Sequence, residues 1–175
     1  MKQALIEAKE AYKKGEVPIG AVIVCENQII ARGHNLTETL NDVTAHAEMQ
    51  AITSASNFLG GKYLLNCTLY VTIEPCQMCA GALFWSQIAT IVYGARDEQR
   101  GCINLNTKLH PKTKINGGVL AEESSQILKD FFIEKKPIRL NLHPHLLLHN
   151  LLLLFHRLLH LLQFLHLLQF LHLHH

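Results

Sequence analysis

Two short stretches limit what this chain can fold into. They are Thr44-Ala45-His46-Ala47-Glu48 and Glu74-Pro75-Cys76-Gln77-Met78-Cys79. Together they read H-x-E…P-C-x-x-C. Cys76 and Cys79 are three residues apart, which puts both thiols on one face of a helix that Pro75 is suited to start. A helix start and a metal both favour thiolate over thiol. His46 adds a third ligand from the start of a second helix. Three protein ligands leave one tetrahedral position for water, the layout of a catalytic zinc rather than a closed structural one. The fold must therefore bring two helix N-termini together.

Glu48 adds a second demand. It stands two residues from His46, and on an ideal helix those positions do not share a face. Both reach one pocket only if His46 sits at the helix cap. Glu48 is then placed to take a proton from a zinc-activated water and hand it to a substrate nitrogen. The metal lowers the pKa of such a water from about 15.7 towards about 7. A lone C-x-x-C more often marks a structural zinc or a redox pair. That reading needs a fourth Cys or His, and neither Cys67 nor Cys102 has matching spacing. Cys25, Cys67 and Cys102 read as buried small hydrophobes or inert loop thiols, and Met49, Met78 and Phe84 read as core.

The surrounding pattern predicts alternating helices and strands. An amphipathic helix covers residues 2–14, with Ala4, Leu5, Ala8, Ala11 and Tyr12 on its apolar stripe. Strands follow at 19–25 and 28–32 around a Glu26-Asn27 turn. A helix is expected over about 45–56, a strand over 68–73, a helix over about 76–86 and a strand over 88–93. Residues 97–118 read as loop. A last helix lies within 119–135, with Leu128, Phe131 and Phe132 facing the core. Strands separated by helices imply an α/β sheet covered on both faces.

Composition divides the chain. Residues 142–175 hold 17 Leu and 9 His in 34 positions and one charged residue, Arg157, apart from His. His160 to His172 repeats His-Leu-Leu-Gln-Phe-Leu twice. The segment has the length of a membrane span, but His149, Asn150, Arg157, Gln163 and Gln169 interrupt it at a cost in lipid. A metal-binding reading fails too, because a six-residue period drifts around a helix and builds no His face. The tail reads as non-native low-complexity sequence, leaving residues 1–141 as one domain with no membrane segment. Net charge is only +2, so bulk charge does not announce nucleic acid. Met1 to Lys9 has no hydrophobic leader segment, and an odd count of five Cys argues against a disulfide framework. Both predict a reducing cytoplasm.

The zinc signature is that of the nucleobase deaminases, and further stretches narrow it. Val17-Pro18-Ile19-Gly20-Ala21-Val22, Gly33-His34-Asn35, Cys79-Ala80-Gly81-Ala82 and Tyr93-Gly94-Ala95-Arg96-Asp97 resemble the bacterial tRNA-specific adenosine deaminases, within the cytidine/deoxycytidylate deaminase superfamily. The resemblance covers residues 1 to about 134. It implies a three-layer cytidine-deaminase-like α/β sandwich, with a five-stranded mixed sheet between helices. It also implies one Zn2+ per subunit on His46, Cys76 and Cys79, with Glu48 as proton shuttle. Asn35 falls at the position that hydrogen-bonds a flipped base and Asp97 at one that contacts the loop beside it. Their plainer readings are a turn residue and an N-cap. The implied partner is a tRNA anticodon stem-loop, of an arginine tRNA, bound across a homodimer. Lys108, Lys112, Lys114, Lys129, Lys135, Lys136 and Arg139 are candidate phosphate contacts. Against the family pattern the first helix lacks two or three turns before Met1, which implies an internal start. The alternatives are deamination of a free base, guanine or cytosine, and a chain that binds zinc or RNA without turnover.

Overall fold

Ala4, Ala8 and Ala11 recur every three or four residues along α1 (Lys2–Lys13), and all three are fully buried. The small stripe is required by what lies beneath it. A Cβ on Gly20, the first residue of β1 (Gly20–Cys25), would strike the backbone of Ala4 and Ala8. The structure is a computed structural model and describes residues 1–135. The expected boundary near 141, the Leu/His-rich tail of 142–175, Lys136 and Arg139 lie outside the described residues.

β1 turns into β2 (Gln28–His34) through Glu26 and Asn27 at φ 50° and 62°, the pair of left-handed residues that a two-residue hairpin needs. β1 also pairs antiparallel with β3 (Cys67–Ile73), while β3, β4 (Thr90–Ala95) and β5 (Lys114–Asn116) run parallel. The order β2-β1-β3-β4-β5 makes the expected five-stranded mixed sheet. β5 falls inside the stretch read as loop. Three residues with only Ile115 partly buried carry no readable alternation, and pairing with β4 alone makes them a strand.

Helices cover both faces. On one side α3 (Ala47–Leu59) and α4 (Gln77–Trp85) pack on Ala21, Ile23, Leu69, Val71 and Ile91. On the other, α1 meets α5 (Ala121–Lys135), with Tyr12 and Phe131 edge to face at 5.6 Å. A short α2 (Thr37–Leu40) stands in the polar loop after β2. Two side chains expected in the core are not there. Phe132 is 52% exposed, because α5 turns Phe131 inward and the next position outward. Met78 is 36% exposed, since turning Cys76 and Cys79 inward turns it out. No helix among the described residues is long and apolar enough to cross a membrane.

The seat of α3 is as tight as that of α1. A Cβ on Gly33 would lie 2.5 Å from the Ala47 carbonyl oxygen and 2.8 Å from the Ala51 nitrogen. Overpacking of this kind costs about 1–3 kcal/mol. Gly33→Ala should lower the urea midpoint accordingly. It should also weaken zinc uptake, because Ala47 directly follows His46. A variant of unchanged midpoint would show that α3 is free to lift.

Candidate active site

β3 and β4 are parallel neighbours, and three residues separate the end of β3 from the start of α4. This places its N-terminus at the carboxyl edge of the sheet, where open α/β folds hold ligands. α3 begins at the same edge. Each helix is capped by a metal-type side chain. His46 is the N-cap of α3 with φ −71° and ψ 156°, and Cys76 is the N-cap of α4 with φ −72° and ψ 172°. Both backbones are extended, and neither side chain makes a capping hydrogen bond. The cap position of His46 meets the demand set by the H-x-E spacing: Glu48 is the second residue of α3 and lines the same cavity.

The three donors converge. His46 Nδ1 lies 3.5 Å from Cys79 Sγ and 3.7 Å from Cys76 Sγ. Zinc bonds of about 2.3 Å to sulfur and 2.05 Å to nitrogen, at a tetrahedral angle, require about 3.6 Å between those atoms. All three ligand atoms fall within 4.8 Å of one another. The set therefore fits zinc in distance and in chemistry.

The charges are arranged to match. Hydrogen bonds from the Cys79 thiol and then from His46 outweigh burial and bring the Cys76 thiol down to about 4. Cys79, which supplies that hydrogen bond, is pushed far above the usual thiol range by it and by burial. His46 is raised, chiefly by its hydrogen bond to Cys76. Glu48 is 3% exposed. Burial, then the charge on Cys76, outweigh His46 and raise its carboxyl to about 7. A carboxyl poised there exchanges protons near neutrality.

The cavity in front of these groups has a volume of about 460 Å³, within the range of about 300–1,000 Å³ usual for small-molecule sites. Val17, Ile19 and Ile73 form apolar wall, joined by Leu128 and Phe132 one turn apart on α5. Asn35 and Asp97 face it across the sheet edge, so the structure brings His46, Glu48, Cys76, Asn35 and Asp97 to one cavity, with Cys79 against the ligand pair. Asp97 also holds a local turn, its Oδ1 accepting from the Gln99 and Arg100 nitrogens at 3.0 and 2.9 Å. The plainer reading of Asp97 thus applies alongside the cavity position.

Two buried acids escaped the sequence reading. Glu74, 1% exposed, accepts from the Ile103 nitrogen at 2.8 Å and the Asp97 nitrogen at 3.3 Å, with Arg96 Nε at 3.9 Å. It pins the segment after β4 beneath the cavity. Gly101 leaves room for it, since a Cβ there would lie 2.5 Å from the Glu74 carboxyl carbon. Glu16, fully buried, does similar work for α2. Each borders an apolar, proline-containing stretch: Glu16 precedes Val17-Pro18-Ile19, and Glu74 stands between Ile73 and Pro75. A charge so placed signals a buried acceptor rather than a solvated surface.

Known proteins agree with this geometry. Residues 1–136 match the MafB19-like deaminase family. A tRNA-specific adenosine deaminase of Bacillus subtilis is 47% identical over 152 residues, covering 81% of this chain and 94% of its own. A solved structure from work on A-to-I editing by tRNA:A34 deaminases at the wobble position superposes with a TM-score of 0.69 at 42% identity. It covers 73% of this chain and 97% of its own. A guanine deaminase of Bacillus subtilis reaches a TM-score of 0.52 at 44% identity over 54% of this chain and 61% of its own. The chain thus belongs to the MafB19-like deaminase family, on the branch of the tRNA-specific adenosine deaminases.

Proposed function

We propose that this protein hydrolyses the wobble adenosine of a tRNA anticodon loop to inosine, releasing ammonia. The observation that carries the reading is one cavity of nucleoside size. It is lined by His46 and Cys76, which Cys79 completes as three donors at zinc spacing, and by a buried carboxyl raised to about 7. His46 Nδ1, Cys76 Sγ and Cys79 Sγ would hold zinc, which would supply an acidified, nucleophilic water. Glu48 is placed to take one proton from the attacking water and give it to the ring nitrogen, and then to carry the remaining hydroxyl proton to the amine as ammonia leaves C6. The apolar wall excludes solvent around the flipped base, and Asn35 and Asp97 hold its edge and the adjoining loop.

RNA is favoured over a free base by sequence likeness sustained over the domain. The solved tRNA:A34 deaminase is 42% identical over 73% of the chain, whereas the guanine deaminase of Bacillus subtilis reaches 44% identity over only 54%. Exposed Arg96 and Arg100 at the cavity, with Lys129 and Lys135 on α5, suit backbone phosphates. Trp85 at 77% and Val43 at 83% exposure suit burial against a second copy of the chain, as a homodimer. We assign the substrate to an arginine tRNA and the protein to the cytoplasm. The catalytic domain ends by residue 141, with 142–175 taking no part in catalysis.

Zinc-loaded full-length protein should convert an arginine tRNA anticodon stem-loop to its inosine form, read by mass spectrometry. Free guanine, cytosine and adenosine should remain unchanged. Turnover of a free base alone would overturn the tRNA reading.

A further inference from the structure

Glu16 is a carboxylate in a costly place. It follows the C-terminal end of α1, it is fully buried, and no cation pairs with it among the described residues. A buried charge persists only when hydrogen bonds replace its lost hydration. Four groups from one segment provide them. The Thr39 nitrogen donates to Oε1 at 2.6 Å. The Glu38 nitrogen, Asn35 Nδ2 and Thr37 Oγ1 donate to Oε2 at 3.2, 3.2 and 3.3 Å. These bonds outweigh burial and keep the carboxyl below its ordinary value.

Two consequences follow for the cavity. The N-cap of α2 is Leu36, which has no side chain able to cap. The first N–H groups of a helix need acceptors, and Glu16 supplies them from 22 and 23 residues away. Asn35 gives its side-chain nitrogen to Glu16 and also to Thr37 Oγ1 at 2.9 Å. The amide cannot be reversed, because Oδ1 against a carboxylate would set two acceptors together. Both Nδ2 hydrogens are engaged, and Oδ1 remains as the atom Asn35 offers to the cavity it lines.

We propose that Glu16 is a positioning residue of this site: through Asn35 and Thr37 it fixes which amide atom meets the bound base, presenting an acceptor to a purine N–H. The inference rests on the deaminase reading above. Glu16 touches neither substrate nor metal, so its effect must pass through Asn35.

A double-mutant cycle on kcat/KM for stem-loop deamination tests this. Misplacing a group that orients a substrate costs up to about 10²-fold. Glu16→Gln should lose about that factor in the wild-type background and less than about 3-fold in Asn35→Ala. The zinc content should match wild type. Thr37→Val, which removes the other Nδ2 partner together with one of the four donors to the carboxylate while leaving Glu16 in place, should show the same loss of effect in Asn35→Ala, and it serves where Glu16→Gln does not fold. Equal losses in both backgrounds would overturn the proposal while leaving the deaminase reading intact. A wild-type protein that makes no inosine would sink both.

Discussion

Glu48→Gln should lower kcat for inosine formation by about 10²–10⁴-fold, the range for loss of a positioned proton-transfer group, with zinc still bound at one equivalent. Gln keeps the volume of Glu at a position 3% exposed, so α3 and its cap should persist. What is lost is the ability to hold a proton between water and base. A second readout separates this role from a structural one. In metal-free protein the Glu48 carboxyl titrates at about 7, against 4.5 when free. The unfolded chain therefore gives up that proton first as pH rises. The buried group then lowers stability across roughly pH 4.5 to 7, by an amount approaching about 3 kcal/mol above that window. Metal-free Glu48→Gln should accordingly melt above metal-free wild type at pH 8, and the gap should close below pH 4.5. Retained turnover in Glu48→Gln would remove the shuttle from the mechanism.

The legibility of this site in the sequence follows from how locally each residue acts. The H-x-E spacing makes sense only with His46 at a cap, and it stands there. The C-x-x-C spacing and Pro75 place the second helix start, and Cys76 caps it. Asn35 and Asp97 were placed by resemblance, and both reach the cavity. Glu16 and Glu74 are different. Their work is to accept backbone N–H groups 22 to 29 residues away, and no local periodicity records such a partnership. The same holds for β5, which exists because β4 offers it a free edge. Phe132 was misplaced for a related reason. A helix with aromatics at adjacent positions cannot bury both, and the sequence does not say which one faces a cavity. The four strands with real apolar runs were all readable, because burial on a sheet face is written directly into them.

Removal of zinc should have the largest effect of all. Incubation with a chelator should take inosine formation below detection, and added zinc should restore it. Cys76→Ala and Cys79→Ala should fail in the same way but without rescue. The magnitude comes from the nucleophile: a shift in water pKa from about 15.7 to about 7 is roughly nine decades of ionisation, more than any single proton shuttle supplies. The two thiols also dictate how the metal enters. Cys76 is already a thiolate at neutral pH, with its pKa brought down to about 4, while Cys79 keeps its proton and shares it with Cys76. Zinc needs both sulfurs ionised. Uptake near pH 7 should thus release about one thiol proton, plus the fraction that His46 holds because its own pKa is raised. Affinity should rise with pH as that proton becomes easier to lose. Calorimetry in buffers of different ionisation enthalpy reads the proton count directly. Uptake without proton release would mean that Cys79 is not a ligand and that the three-donor site is wrong.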